Sequence, residues 1–179
     1  MFTLITQRLL LRDFQTADFE PFFATTQSPA YQRFYAAEEM TRPFWEMIFG
    51  NILAGTNEPD RDAYQLAICQ QSDGALIGTC GVRMEDAAHQ QASFGCAIGE
   101  PYWGHGYALE ATRALIDFAF AELPIHRIYA ETNWENQSAR SLAEKLGFRL
   151  EGHLRHYKYF RDRWWDGAIY AILRDDWQA

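Results

Sequence analysis

Two glycines one residue apart, Gly104 and Gly106, stand between an apolar strand-like run over residues 94–98 and a helical pattern that begins near Gly106. Residues without a Cβ let the backbone come close to a ligand. The first turn of a helix adds unpaired N–H groups and a partial positive charge. Strand, glycine turn and helix N-terminus in this order make a site for an anion, most often a phosphate. An ordinary strand–turn–helix joint can be written with the same residues. Two phosphate chemistries are excluded by what the loop lacks. The Lys-Ser/Thr pair of a triphosphate-hydrolysing loop is absent, and Leu109 stands where a dinucleotide fingerprint needs its third glycine.

The flanking segments form the frame that such a loop requires. Residues 6–14 read as a first strand, and Thr16 or Asp18 caps a helix reaching about Thr25, with Phe19, Phe22 and Phe23 on one face. Residues 27–40 are a loop or a broken helix. Pro43 introduces a second helix, from Phe44 to Leu53, that stops toward Gly55, and Asn57-Glu58-Pro59-Asp60 is a loop signal. Strands over residues 64–69 and 75–84 flank the hairpin turn Ser72-Asp73-Gly74. A polar connector, residues 85–91, leads to the strand at 93–98 that feeds the glycine loop. Beyond the loop, Ala108, Ala111, Leu115, Phe118 and Ala119 recur at helical spacing to about Leu123, and residues 127–132 are the next strand. A helix between two strands implies a parallel pair. Asn136 or Ser138 caps a short helix ended by Gly147, and strands at 149–160 and 164–173 turn through Arg161-Asp162-Arg163.

At 179 residues, 48% hydrophobic and 16% aromatic, the chain suits one α/β domain with one sizeable core. No apolar run approaches the roughly 18 residues of a bilayer span, and Met1-Phe2-Thr3-Leu4 lacks a signal-peptide signature, so a cytoplasmic protein without a membrane role is expected. Cys69, Cys80 and Cys96 lie inside strand-like runs and are expected as reduced thiols, with no metal site. A net charge of −8 argues against a broad nucleic-acid surface. Residues 1–100 hold 13 acids against six bases, whereas residues 140–163 hold seven bases against three acids. That asymmetry suits a cationic acceptor and an anionic cofactor, or two solvated faces of opposite sign.

The run Trp103-Gly104-His105-Gly106-Tyr107-Ala108 resembles the acyl-CoA loop, Q/R-x-x-G-x-G/A, of the GNAT N-acetyltransferases, with Trp103 in place of the usual Gln or Arg. The wider form W-G-x-G-Y-A-x-E-A, whose acid is Glu110, is similar to the RimJ/RimL branch of that family. So are T-x-R-L-x-L-R over residues 6–12, N-W-E-N-Q-S-A-R-S-L-A-E-K-L-G-F over 133–148, and E-G-H-L-R and W-D-G-A-I-Y-A-I-L near the C-terminus. The resemblance covers essentially all of residues 1–179. It implies a single acyltransferase domain with a mixed, mostly antiparallel sheet and a central splayed parallel strand pair.

It further implies acetyl-CoA as co-substrate, held by Cys96, Ala97, Ile98, Trp103, Gly104, His105, Gly106, Tyr107, Ala108, Asn133 and Asn136. The pantetheine arm would lie between residues 94–98 and 128–132, with backbone groups near Ala97 and Ile98 polarising the acetyl carbonyl. Cys96 reads as a core thiol rather than a nucleophile. Three positions depart from the family pattern: Ala143 where a Tyr is common, Ala139 where the branch often has Ser, and Ser93 where it often has Glu. Ser138 or a water is then the expected acid, and Glu100 the expected base. Glu110 is expected to serve the helix dipole and His105 to face phosphate, while His153 and His156 are proton carriers or solvated strand residues. The implied acceptor is a primary amine: a protein N-terminus, ribosomal by resemblance, or a small amine such as a polyamine, antibiotic or toxin. A non-catalytic CoA-binding domain is the reading from another class. Residues 27–57 with Trp164 and Trp165 would line the acceptor site, and Tyr31, Phe34, Tyr35, Glu38 and Glu39 would make an aromatic, acidic groove for cations. A monomer or homodimer is expected.

Overall fold

The computed structural model describes residues 1–56, 58 and 61–177. Eight strands form one sheet: β1 (Thr3–Ile5), β2 (Leu9–Asp13), β3 (Ala63–Gln70), β4 (Leu76–Asp86), β5 (Gln91–Ile98), β6 (Arg127–Asn133), β7 (Arg149–Phe160) and β8 (Arg163–Leu173). Their order is β1-β2-β3-β4-β5-β6-β8-β7, and only β5 and β6 pair in parallel. The helices are α1 (Phe19–Thr25), α2 (Pro29–Gln32), α3 (Arg42–Thr56), α4 (Tyr107–Glu122) and α5 (Gln137–Lys145). The mixed sheet with one central parallel pair is the architecture that the resemblance implied.

Alternation along the strands divides the core between two faces. Leu66 and Ile68 of β3 join Leu9, Leu11 and Ile77 beneath Ala111, Leu115, Ile116 and Ala119 of α4. Their neighbours Ala67 and Cys69 face the other way, toward Phe14, Phe22 of α1 and Phe49 of α3. Phe14 meets the other two edge to face, 5.2 Å from Phe22 and 5.5 Å from Phe49. Each buried side chain of this size contributes about 2 kcal/mol, so both helical layers are clamped to the sheet.

Some element bounds differ from the sequence reading for local reasons. The strand expected over residues 6–14 shortens to β2, Leu9–Asp13, because residues 6–8 turn the chain from β1 into it and are committed elsewhere. The Thr6 hydroxyl donates to Glu110 of α4 at 2.7 Å, and the Arg8 N–H donates to the same carboxylate at 2.8 Å. Helix α3 begins before Pro43, which the first turn tolerates, and continues through Gly55 to Thr56, whose hydroxyl donates to the Ile52 carbonyl. Of the loop signal at 57–60, only Glu58 lies among the described residues. The connector at 85–91 shortens to residues 87–90, since β4 runs to Asp86 and β5 begins at Gln91.

A buried ion pair fixes the start of α1. Arg12 grips Asp18 through two bonds of 2.6 and 2.9 Å, and the Gln15 N–H donates to the same carboxylate at 2.7 Å. Burial works against ionisation of Asp18, but these bonds outweigh it and hold its pKa below the usual value. A carboxylate with a depressed folded pKa stabilises above its unfolded value, about 4, and that contribution disappears as pH falls through the folded value. Asp18→Asn is therefore expected to cost about 2 kcal/mol at neutral pH. In thermal melts the gap from the native chain should close as the buffer is acidified below pH 4.

Candidate active site

The seam between β5 and β6 is where the sheet opens. The two strands pair only at Gln91–Arg127, Ala92–Ile128 and Ser93–Tyr129. Beyond Ser93, β5 follows β4 to Ile98 while β6 follows β8 to Asn133. The gap becomes a cavity of about 570 Å³, walled by Phe94, Gly95, Cys96 and Ala97 on one side and Ala130, Glu131 and Thr132 on the other. Helix α5 adds Asn136, Ala139, Leu142 and Ala143, and the opposite mouth is bordered by Trp45, Asn51 and Gln65. The cavity thus runs through the sheet. From Ser93 to Gly99 the open edge of β5 is about 20 Å long.

At the far end of that edge the glycine loop leads into α4. Gly104 and Gly106 have φ of +79° and +80°, a left-handed conformation that side chains disfavour. No side chain caps the helix at Gly106, so its first amides remain open. The Trp103 indole N–H donates to the Ile98 carbonyl at 2.6 Å, and His105 Nδ1 lies 2.8 Å from the Trp103 carbonyl with its ring stacked on Tyr107. Both glycines are exposed, and no atom lies within 4 Å of where a Cβ on Gly104 would stand. This is a cradle open to an anion, and it fits the pyrophosphate of a CoA thioester.

The sequence reading missed Arg8. Its guanidinium donates to Glu110 at 2.7 Å and to the His105 carbonyl at 3.0 Å, and it lies 4.6 Å from the Tyr107 ring centre. It therefore ties the turn between β1 and β2 to the loop and sets a cation beside the open amides. Glu110 serves as the anchor of this tie. Its burial opposes ionisation, but bonds from Thr6 and Arg8 outweigh that and lower its pKa.

Neither expected catalytic group reaches the cavity wall. Glu100 sits exposed in the 3₁₀ turn Glu100–Tyr102 before the loop. Ser138 is exposed on α5, because the helix turns Ala139, Leu142 and Ala143 inward and the residue before Ala139 falls about 100° away. Among the expected cofactor residues, Asn133 accepts from the Glu135 N–H at 2.9 Å, which fixes the turn into α5. Asn136 lines the cavity and caps α5 through the Ala139 N–H at 3.1 Å. Cys96 lines it too, and burial pushes its thiol up to about 11, so the sulfur stays protonated and a poor nucleophile.

A carboxylate absent from the sequence expectations stands where β6 leaves β5. Glu131 is the only acid on the cavity wall among the described residues. It accepts a 2.6 Å bond from the hydroxyl of Tyr157 on β7. That bond, together with partial burial and the carboxylate's charge, pushes the tyrosine up to about 12 and keeps it a donor. Gly167 on the intervening β8 makes the reach possible. A Cβ there would stand 2.7 Å from the Tyr157 ring.

The acceptor groove also differs from expectation. Glu39 turns back to accept from the Ala36 N–H at 2.9 Å, and neither it nor exposed Glu38 lines the cavity. Of the aromatic set, Tyr35 reaches the wall, stacked on Tyr31. Trp165 is buried with its indole N–H on the Phe160 carbonyl, and exposed Trp164 stacks on His156. Asn57 lies outside the described residues. His153 is held by Asp166 at 2.7 Å and stacks on Trp134, away from the wall.

A parted parallel strand pair, with an open glycine loop and helix N-terminus at one end and the Glu131 carboxylate at the other, is the frame of an enzyme that transfers an acyl group to an amine. The model of the acetyltransferase (GNAT) domain matches residues 8–149, and the chain belongs to that family. The uncharacterized N-acetyltransferase p20 of Bacillus licheniformis is 30% identical over 182 residues, 99% of each chain. The putative ribosomal N-acetyltransferase YdaF of Bacillus subtilis is 30% identical over 60% of this chain and 58% of its own. Spermidine N(1)-acetyltransferase of Escherichia coli K12 is 27% identical over 61% and 59%. Among solved structures, the ribosomal L7/L12 alpha-N-protein acetyltransferase RimL, in complex with coenzyme A, superposes with a TM-score of 0.81 over 95% of this chain and 96% of that one, at 19% identity.

Proposed function

We propose that this N-acetyltransferase moves the acetyl group of acetyl-CoA onto a primary α-amine that enters from the α1–α3 side of the sheet. The observation that carries the reading is the parting of β5 from β6 after Ser93, which opens a cavity bordered by Glu131 and leaves an edge of β5 that leads toward the α4 N-terminus. The open amides at Gly104–Tyr107 and the guanidinium of Arg8 would hold the phosphates. Acetyl-CoA supplies an activated thioester carbonyl. Unpaired backbone groups on the open edge of β5 orient that carbonyl.

Glu131 takes a proton from the amine, directly or through one water, so that the nitrogen lone pair can attack. The new N–C bond replaces the C–S bond, and the proton that the nitrogen sheds on becoming an amide passes through water to the departing thiolate. No hydroxyl is needed at Ala139 or Ala143, because a thiol of pKa about 8.5 is a good leaving group. Ser138→Ala is accordingly expected to leave kcat within two-fold, since the side chain stands outside the cavity. A fall of ten-fold or more in steady-state CoA release, in a variant that melts like the native chain, would return Ser138 to the mechanism.

The branch resemblance and the YdaF similarity favour a protein N-terminus, ribosomal in kind, as acceptor. The alanines at both acid positions are what a non-catalytic CoA-binding domain would also carry. Thiol release from acetyl-CoA with candidate amines separates the two.

A further inference from the structure

The cavity wall carries two charges of opposite sign. Among the described residues that line it, Glu131 is the only acid and Arg83 the only base. Neither has an ionic partner there. Glu131 is met by a neutral tyrosine hydroxyl. Arg83 projects from β4 between Ala63 of β3 and Ser93 of β5, exposed at the rim, and makes no ion pair, hydrogen bond or ring contact among the described residues. Glu85, two residues along β4 and thus on the same face, is taken up by the Ser93 hydroxyl at 2.5 Å.

Most other arginines among the described residues are occupied, and Arg155 on β7, which has no such partner, lies outside the cavity lining. Arg8, Arg12, Arg33, Arg42, Arg61 and Arg163 are in ion pairs, and Arg140, Arg161 and Arg174 donate to hydroxyl or carbonyl oxygens. An unpaired guanidinium on the wall of a substrate cavity therefore stands out. It is placed at the reacting end. Arg83 faces Ser93, the last residue of β5 paired with β6, and Glu131 lies two residues past Tyr129, the partner of Ser93. Two strand spacings, about 10 Å, separate the strands that bear the two charges. Both residues border the cavity.

We propose that the acceptor is a primary amine that also carries a carboxylate, which Arg83 binds while Glu131 receives the amine. The proposal rests on the acetyltransferase reading and narrows its substrate class. Two sources share this chemistry: a free amino acid, and a peptide N-terminus with an acidic residue next to it. A guanidinium matches a carboxylate bidentately, which gives directional as well as electrostatic selection. A polyamine brings a second cation toward Arg83 instead, and like charges in a partly desolvated site repel.

The test measures CoA-thiol release by the full chain with matched acceptors. One arm pairs free amino acids with their α-amides. A second pairs C-terminally blocked peptides with Glu or Gln as the second residue. Spermidine is included as a carboxylate-free cation. The expected result is a kcat/KM at least ten-fold higher for the carboxylate member in one of the two arms, and that arm identifies the source. In Arg83→Gln this ratio should fall toward one through KM, and in Arg83→Glu the preference should shift to spermidine. Arg149→Gln, an exposed arginine paired with Asp176 on the outer strand, should keep the native ratio. Equal turnover of both members, or a ratio that survives Arg83→Gln, overturns the proposal and leaves the transferase reading intact. No thiol release with any amine overturns both.

Discussion

Replacing Glu131 by glutamine is expected to lower kcat/KM for an amine acceptor about 10²-fold near pH 7, with little change in acetyl-CoA affinity. One positioned base contributes 10²–10⁴-fold. Glutamine keeps the shape and the bond to Tyr157 but cannot accept the proton. The loss should depend on pH. An α-amine of pKa about 8 arrives increasingly neutral as pH rises, and a neutral amine needs less help. The rates of variant and native chain should converge between pH 7 and pH 9. Tyr157→Phe should act more weakly, by about ten-fold, because it removes the group that holds the carboxylate and not the carboxylate itself. A pH-rate profile of Glu131→Gln parallel to the native one and within three-fold of it would remove Glu131 from the chemistry.

Gly106→Val is expected to abolish acetyl-CoA binding while leaving a folded chain. A branched side chain at φ +80° costs about 1–3 kcal/mol, and its Cβ would stand 3.6 Å from Arg8 Nη2, the cation that fixes the loop. Strain and steric block fall together where a pyrophosphate must approach. At 100 times its Kd a ligand adds about 2.7 kcal/mol, which for a domain of this size raises Tm by roughly 5–10 °C. Native chain titrated with acetyl-CoA should show that rise, and the valine variant none. An equal rise in both would place the cofactor away from the loop.

Features encoded within a short stretch were legible in the sequence. The strand, glycine loop and helix over residues 91–122 depend on local propensity, as do the turn at Gly74 and the helix ended by Gly147. Long-range commitments were not. Thr6 and Arg8 lie about a hundred residues from Glu110, and although both motifs were recognised, nothing local says that one anchors the other. That tie takes residues 6–8 out of the strand expected over residues 6–14. The Glu131–Tyr157 pair needs two strands aligned across Gly167, which depends on the register of β6, β8 and β7. Ala139, Ala143 and Leu142 share a helical face, so their spacing already put Ser138 outside. Glu100 and Glu38 are near the site in sequence and exposed in space, where proximity along the chain is a poor guide.

Transfer requires that amine and thioester meet in the seam between β5 and β6. The most direct measurement follows CoA-thiol release and acceptor mass together, in one reaction of the native chain with acetyl-CoA and a panel of primary amines. The expected result is one acetyl group gained per thiol released, with turnover reduced about 10²-fold in Glu131→Gln and absent in Gly106→Val. Acetyl-CoA that stabilises the native chain but yields neither thiol nor acetylated amine across the panel would contradict it, and the fold would then be a CoA-binding domain.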